Sequence, residues 1–205
     1  MKIILASKSP RRKEILSSLG IIFDVIVSDT DESSDISNPA LLVSELSKRK
    51  GMAVAEKSEL FSNENEYIII SSDTVVFCNG EIFGKPADMI DAKRMIKSLS
   101  GKTHSVFSGI SVIKISRNGD VAEFTDFDET LVTFKEMRDS DIDLYLSREK
   151  VLDKAGAYAI QGIASLWIDR IDGSYFNVVG LPVNKLSSLL ERAGVALESI
   201  ISRNN

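Results

Sequence analysis

The run YIIISSDTVV, residues 67–76, is strongly strand-like. Bulky, mostly β-branched residues precede two serines, Asp73 and Thr74, which is the composition of a buried strand that reaches a polar end. We predict that Asp73 ends this strand. Because ligands bind at the carboxyl ends of strands in open α/β sheets, the carboxylate of Asp73 could bind a metal ion or orient a water for attack. The alternative is a turn aspartate that satisfies backbone N–H groups.

On both sides of this stretch, strand patterns alternate with helix patterns. Lys2–Ala6 predicts a buried strand, and Ser9 with Pro10 predicts the N-cap and first position of a helix that stops at Gly20. Further strands are predicted over residues 22–27, 104–115 and 121–134, and a Gly-rich β segment over 155–179. Helices are predicted over 39–57, 88–99 and 140–148, with a last helix from Pro182. Asn79–Gly80 predicts a hairpin. This alternation predicts a mixed α/β (α+β) fold in a single domain, residues 1–205.

Composition restricts the chemistry that the chain can perform. Hydrophobic residues make up 43% and charged residues 27%, as in ordinary soluble domains, and no apolar run is long enough to span a membrane. A net charge of −5 argues against non-specific nucleic-acid binding. One cysteine, Cys78, and one histidine, His104, exclude an internal disulfide and a zinc site of four N and S ligands. We therefore expect a cytoplasmic protein that uses carboxylates, cationic side chains and a hard metal ion.

The segment SKSPRR, residues 7–12, indicates a site for a small polyanion. It joins the first strand to the first helix, where free N–H groups and the helix dipole favour an anion. The guanidinium groups of Arg11 and Arg12 match phosphate oxygens in geometry. The alternative is a plain strand-to-helix connection whose arginines face water.

Two lysines could add to this site. Lys50 lies on the apolar line of its helix, four residues after Leu46 and three before Ala53, so it either snorkels to solvent or reaches a bound phosphate. The neighbours Lys48 and Arg49 point elsewhere and are expected to be solvated. Lys85 stands in GKP, residues 84–86, a loop that lacks the spacing of a Walker A motif.

Two further polar segments have open interpretations. The loop after the second strand carries Asp29, Asp31 and Glu32, which either supply a second carboxylate to a metal or are simply exposed. Gln161 in AGAYAIQG, residues 155–162, can donate and accept hydrogen bonds, which suits the edge of a nucleobase. A strand with one polar residue is the alternative for that segment.

Taken together, these segments resemble the Maf family of nucleotide pyrophosphatases. The matching segments are LASKSPRRKEIL at 5–16, DE at 31–32, Lys50, SDTVV at 72–76, GKP at 84–86, LSGKTHSVFSGI at 99–110, DKAGAYAIQG at 153–162 and IDGSYFNVVGLPV at 171–183. They occur in family order and cover roughly residues 2–193. Gly51 and Ser71 depart from the family pattern, since alanine is common at both positions.

The resemblance implies a fold similar to that of inosine triphosphate pyrophosphatases, with a central mixed sheet, flanking helices and a deep cleft between two lobes. It implies hydrolysis at the α-phosphorus with release of pyrophosphate, and it places the proton acceptor at Asp73. It attributes substrate selectivity to Arg11, Thr74 and Gln161. Arg11 points to the branch similar to dTTP/UTP pyrophosphatases, and modified pyrimidine nucleotides are expected as further substrates.

The residues and the resemblance combine into one mechanistic hypothesis. The triphosphate is held by Ser7, Ser9, Arg12, Lys50 and Lys85, while Glu32 and Asp73 bind Mg²⁺, or another divalent cation such as Mn²⁺, or position water. Family members are often dimeric and have been connected with septum formation, which leaves a homodimer and a role in house-cleaning or cell division open. One rival is a non-catalytic nucleotide-binding regulator. Another is a general phosphatase that releases orthophosphate.

Overall fold

A computed structural model describes residues 1–27, 30–57, 61 and 65–201. The strands in this part of the chain are β1 (Lys2–Leu5), β2 (Asp24–Val25), β3 (Tyr67–Cys78), β4 (Glu81–Phe83), β5 (Thr103–Ile115), β6 (Val121–Phe134) and β7 (Ile168–Asp172). The helices are α1 (Pro10–Ser18), α2 (Pro39–Ala55), α3 (Met89–Leu99), α4 (Asp139–Arg148), α5 (Tyr175–Val179) and α6 (Val183–Arg192). The predicted mixed α/β class is confirmed.

The strands form one sheet in the order β2-β1-β3-β5-β6-β7, with β4 also paired to β3. β1 runs parallel to β2 and β3, and α1 and α2 lie in the long connections that such parallel pairs require. β3 and β4 are antiparallel and are joined at Asn79 and Gly80, whose φ angles are 52° and 82°. Two consecutive residues with positive φ make the type I′ hairpin that the Asn-Gly pair predicts.

Helix boundaries lie at the proline, N-cap and glycine residues that predict them. Pro10 is the first residue of α1, Ser9 is its N-cap, and the chain turns at Gly20 with φ +72°. Pro39 begins α2, and the side chain of its N-cap Asn38 accepts a hydrogen bond of 3.0 Å from the backbone N–H of Leu41. None of the helices within the described residues is both long and apolar enough to cross a membrane.

The chain divides into two compact units. The first comprises Met1–Asp73, Ser108–Asp128 and Gly180–Asn205, and the second Thr74–Phe107 and Glu129–Val179. Each has its own hydrophobic core: the first contains Ile4, Val54, Tyr67, Ile69 and Ile113, and the second Phe83, Ile96, Leu99, Val132 and Tyr145. The single domain with a deep cleft stays a prediction.

Two predicted β segments were wrong. β2 covers only Asp24–Val25 rather than residues 22–27, because it lies at the edge of the sheet and Ile22 is 78% exposed instead of buried. Residues 155–179 are not one β segment: they form 3₁₀ helices at Ala155–Ala157 and Gly162–Leu166, then β7 and α5. Glycines at 156, 162 and 173 take positive φ angles, which interrupt an extended backbone.

The predicted end of β3 was also wrong. Asp73 lies inside this strand, which continues to Cys78. The strand continues because Val75, Val76 and Cys78 are buried and residues 76–78 gain a partner in β4. The polar stretch from Ser71 to Thr74 is therefore an interior part of a long strand rather than its boundary.

Candidate active site

Asp73 occupies a stretch of β3 between two paired segments. Residues 67–70 pair with β1, and residues 76–78 pair with β4. Since β1 ends at Leu5, Asp73 lies beyond the carboxyl end of its parallel neighbour, the position where α/β sheets bind ligands. Its side chain is 11% exposed, so the carboxylate is largely desolvated and requires a polar partner.

That partner is Lys50, in the middle of α2. Its ammonium lies 2.5 Å from Oδ1 of Asp73 and 2.8 Å from Oε1 of Glu32, and its side chain is 15% exposed. Lys50 therefore pairs with two carboxylates that the sequence had singled out, whereas the sequence analysis considered only solvent or a bound phosphate as its contacts. Two carboxylates therefore share one ammonium in this cluster.

Hydrogen bonds to Gly180 and Ser7 hold the Arg12 side chain. Its Nε donates to the carbonyl of Gly180 at 2.8 Å, and its Nη1 donates to Oγ of Ser7 at 3.2 Å. The hydroxyl of Ser72 donates to the same Gly180 carbonyl at 2.9 Å, so the residue before Asp73 and the Arg12 side chain share one acceptor. This shared contact fastens α1 to β3 beside Asp73.

The electrostatic environment of Arg12 reflects this position. Burial lowers the pKa of its guanidinium, and the positive charge of Arg11 adds to that lowering. The negative charges of Asp73 and Glu32 oppose both effects and raise the pKa. Because arginine stays protonated over the accessible pH range, the outcome is a fixed cation close to two carboxylates.

The turn between β1 and α1 has the features expected of an anion site. Oγ of the buried Ser7 accepts a hydrogen bond of 3.2 Å from the backbone N–H of Ser9. Ser9 is the N-cap of α1, but its side chain makes no capping hydrogen bond to the first turn. The N–H groups at this helix end are therefore not capped by the residue that usually does so.

Arg49 has a role that the sequence interpretation missed. Its Nη1 donates to the carbonyls of Asp31 at 3.2 Å and Ser33 at 3.1 Å, which flank Glu32 on both sides. Arg49 was expected to be solvated, and no sequence pattern pairs it with these residues because the acceptors are backbone carbonyls. The loop that carries Glu32 is thus attached to α2 through the residue next to Lys50.

The other acids of this loop behave differently from Glu32. The side chain of Asp31 accepts hydrogen bonds from the hydroxyl and the backbone N–H of Ser33, at 2.6 and 2.8 Å, and these bonds lower the pKa of Asp31. Asp31 therefore stabilises a local turn. Asp29 lies outside the described residues.

Of the remaining predicted site residues, Arg11 belongs to the first unit and is partly buried, and the other three belong to the second unit. Thr74 is partly buried, whereas Lys85 and Gln161 are exposed. The GKP loop and the AGAYAIQG segment contact each other, because the N–H of Gly156 donates to the carbonyl of Gly84 at 3.0 Å. A Cβ at Gly156 would lie 2.8 Å from Cγ2 of Val76. A larger residue at this position would therefore push the backbone away from Val76 and disturb its hydrogen bond to Gly84.

His104 has a packing role. It is 2% exposed, its Nε2 lies 2.8 Å from the hydroxyl of Tyr158, and its ring meets the edge of Phe134. Burial lowers the pKa of His104 to about 4 and raises that of Tyr158, so both side chains are neutral near pH 7. A buried neutral imidazole against a phenol differs from the base of a Ser-His-Asp triad, which has a carboxylate partner.

The donor set for a metal is small. Across residues 1–27, 30–57, 61 and 65–201, no group of three or more His, Cys, Asp or Glu side chains is arranged to hold a metal ion. Glu32 and Asp73 nevertheless converge on one cation, the Lys50 ammonium. Two carboxylates are a sufficient protein contribution for Mg²⁺, which keeps several waters and binds substrate phosphates.

Comparison with known proteins gives matches over nearly the whole chain. The family model described as Maf-like protein matches residues 2–193. A dTTP/UTP pyrophosphatase of a Thermoanaerobacter species is 45% identical over 192 residues, which are 94% of this chain and 96% of the relative. The dTTP/UTP pyrophosphatase of Clostridium acetobutylicum is 42% identical over 202 residues, covering 96% of this chain and 100% of the relative. Among solved structures, the nucleoside-triphosphatase / dITP/XTP pyrophosphatase of Mycobacterium abscessus matches with a TM-score of 0.41 at 12% identity, covering 94% of this chain and 95% of that chain.

Proposed function

Because the chain belongs to the Maf-like protein family, we propose that it hydrolyses nucleoside triphosphates to the monophosphate and pyrophosphate, with dTTP and UTP as substrates. Relatives named dTTP/UTP pyrophosphatase, at 42% and 45% identity, support this substrate pair. The observation that carries the proposal is the convergence of Asp73, Glu32 and Lys50 within hydrogen-bonding distance. This is a carboxylate and cation set suited to phosphoryl chemistry.

The cations of the first unit bind the triphosphate in this proposal. Arg12 and the turn of Ser7 and Ser9 at the start of α1 present a guanidinium, a hydroxyl and helix N–H groups to phosphate oxygens. Lys50 neutralises negative charge that develops on the departing pyrophosphate. Preorganised charges of this kind are usually the largest contribution to catalysis.

Asp73 is the proposed proton acceptor. Lys50 binds its Oδ1, so we assign Oδ2 to the water that attacks the α-phosphorus. The strand backbone and the ion pair fix the carboxylate before substrate arrives, which reduces the reorganisation needed in the transition state. The proton of the attacking water passes to Asp73, and the bond from the α-phosphorus to the bridging oxygen of pyrophosphate breaks.

Glu32 and Asp73 are the residues that would hold Mg²⁺ or Mn²⁺, since their oxygens already converge on a cation. When bound, such an ion supplies charge neutralisation for the phosphate oxygens. Selectivity roles for Arg11, Thr74 and Gln161, and a phosphate-binding role for Lys85, rest on the family resemblance. The same holds for the homodimer, action on modified pyrimidine nucleotides, and a house-cleaning or cell-division role. The cytoplasmic location and the absence of nucleic-acid and membrane partners rest instead on the composition: one cysteine, a net charge of −5 and no long apolar run.

A panel of canonical and modified triphosphates with Mg²⁺ tests the activity. We expect dTTP and UTP to give equal amounts of monophosphate and pyrophosphate. Orthophosphate as the only phosphate product would identify a general phosphatase instead. Nucleotide binding without turnover would favour the regulator.

Isotope placement tests the site of attack. In water enriched in ¹⁸O, attack at the α-phosphorus puts the label in the monophosphate. Label found in pyrophosphate would mean attack at the β-phosphorus and would contradict the proposed alignment of Asp73. Mass spectrometry of the two products decides between these outcomes.

A further inference from the structure

The crossing of α2 over β3 contains a contact that leaves no space for a methyl group. A Cβ at Gly51 would lie 2.7 Å from Oγ of Ser71 and 3.0 Å from Cγ1 of Ile113. Gly51 is in the interior of α2 and is not among the residues with positive φ. Its backbone conformation therefore permits any residue, and the restriction is one of space.

The hydroxyl of Ser71 cannot easily turn away from Gly51. It is fully buried and donates a hydrogen bond of 2.7 Å to the carbonyl of Ser47 on α2. Ser47 is itself held to the sheet, since its Oγ lies 3.0 Å from Oγ of the buried Ser111 on β5. Moving the Ser71 hydroxyl would leave a buried polar group without its partner, at a cost of roughly 1–3 kcal/mol.

A second glycine brings the same helix close to the neighbouring strand. A Cβ at Gly109 on β5 would overlap the backbone carbonyl of Val43 in α2. The helix is thus seated on β3 through Gly51 and on β5 through Val43, with hydroxyl hydrogen bonds at Ser47 between these contacts. Close backbone approach of this kind fixes the height of a helix above a sheet, because packed interiors are not continuously deformable.

The Gly51–Ser71 contact adjoins the proposed catalytic pair. Gly51 directly follows Lys50 in α2, and Ser71 precedes Asp73 by two residues in β3. Residues two apart in a strand face the same side of the sheet. The contact and the Lys50–Asp73 ion pair are therefore adjacent points where the same helix meets the same strand.

We propose that Gly51 and Ser71 are a matched pair of positioning residues that sets the approach of α2 to β3 and so holds the Lys50 ammonium on Asp73. The absence of a side chain at one position accommodates the hydroxyl at the other, and the hydroxyl fastens the helix. Neither residue touches substrate in this proposal. It rests on the proposed function only in treating Lys50 and Asp73 as catalytic.

The test is a double-mutant cycle assayed with dTTP and Mg²⁺. Gly51→Ala forces α2 away from β3, and because a displacement of about 1 Å can cost about 100-fold, we expect kcat to fall roughly 10- to 100-fold. KM should change less than about threefold, since Arg12 and the α1 turn are unaffected. Ser71→Ala removes the hydrogen bond to Ser47 but does not force the helix outward, so kcat should fall by no more than about threefold. Gly51→Ala/Ser71→Ala should recover to near that value.

Gly119→Ala is the matched control. Gly119 lies in the turn between β5 and β6 with φ +88°, and a Cβ there would meet nothing within 4 Å. This variant should lose stability through backbone strain while kcat stays unchanged. A loss of kcat shared by Gly51→Ala and Gly119→Ala would mean that general destabilisation explains both.

The outcomes separate this inference from the proposed function. A double variant no more active than Gly51→Ala, or an unchanged kcat in Gly51→Ala, overturns the pairing. If Gly51→Ala does not fold, recovery of folded and active protein in the double variant supports the pairing, and failure of both overturns it. If wild type lacks pyrophosphatase activity, the proposed function fails, while non-additive Tm values in the same cycle still support the packing relation and additive values refute it.

Discussion

The ammonium of Lys50 lies 2.5 Å from Oδ1 of Asp73, which joins the interior of α2 to the interior of β3. Both side chains are largely buried, and Glu32 adds a second carboxylate at 2.8 Å from the same nitrogen. Removing one partner of a desolvated ion pair costs more than the pair contributes, because the remaining charge is left uncompensated. The site therefore has measurable consequences for both activity and stability.

Replacing Asp73 by asparagine should nearly abolish turnover. Asparagine keeps the shape and the Oδ1 acceptor for Lys50 but cannot take a proton, and general-base catalysis typically contributes about 10²- to 10⁴-fold. We expect pyrophosphate release from dTTP to fall by about 1,000-fold, with an unchanged circular dichroism spectrum. A variant of wild-type activity would refute the assignment of Asp73 as proton acceptor.

Replacing Lys50 by methionine should reduce both activity and stability. The Asp73 carboxylate would lose its ammonium partner, and we expect kcat/KM to fall about 100-fold and Tm to drop by several degrees. Adding Asp73→Asn to this variant should restore part of the lost Tm, because the buried charge is removed as well. Thermal unfolding and steady-state kinetics of the single and double variants measure these effects.

Lys48→Met is the matched control for that experiment. Lys48 pairs with Glu123 at 2.9 Å, but its side chain is 45% exposed. Exposed ion pairs contribute about 0–1 kcal/mol, so the same chemical change two residues earlier should leave kcat and Tm close to wild type. Equal losses in the Lys48 and Lys50 variants would show that helix charge, rather than the Asp73 contact, is responsible.

Arg49→Ala should weaken the use of divalent cation rather than the chemistry. It removes the donors to the carbonyls of Asp31 and Ser33, so Glu32 is no longer held beside Lys50. Loss of about 1 kcal/mol of positioning energy corresponds to roughly a fivefold higher Mg²⁺ concentration for half-maximal activity. Lys48→Ala should leave that concentration unchanged, and an unchanged value in Arg49→Ala would exclude this role.

His104 should make stability depend on acid. Its pKa is about 4 in the folded chain against an ordinary value of 6.5, so the unfolded state takes up a proton first as the pH falls. The contribution of neutral His104 to the free energy of unfolding is therefore fully present above pH 6.5. It decreases progressively down to about pH 4, by on the order of 3 kcal/mol. His104→Gln, whose amide can still bond the Tyr158 hydroxyl, should lack this part of the pH dependence of unfolding.

The titration can also be observed directly. The chain has a single histidine, so the imidazole proton resonances belong to His104 without further assignment. Their chemical shifts should change with a midpoint near pH 4. A midpoint near 6.5 would mean that the ring is solvated and would remove the basis for the stability prediction.

Local sequence signals predicted most elements well. Proline at the start of α1 and of α2 and Asn-Gly between β3 and β4 act through backbone geometry that these residues themselves favour. The segment from 155 to 179 was misjudged, because its glycines adopt positive φ angles that no periodicity reveals. The end of β3 was misjudged because its continuation past Asp73 depends on pairing with β4.

The mixed α/β class and the residue types available for chemistry could be predicted from the sequence, which also made Asp73, Glu32 and Lys50 candidates for the site. These follow from local pattern, composition and motif order. The contacts of Lys50 with both carboxylates, and of Arg49 with the backbone around Glu32, became visible only in the three-dimensional structure. It also showed that Gly51 and Ser71, two departures from the family pattern, lie against each other. Such partnerships depend on how closely a helix approaches a strand distant in sequence, and that distance results from packing the whole core.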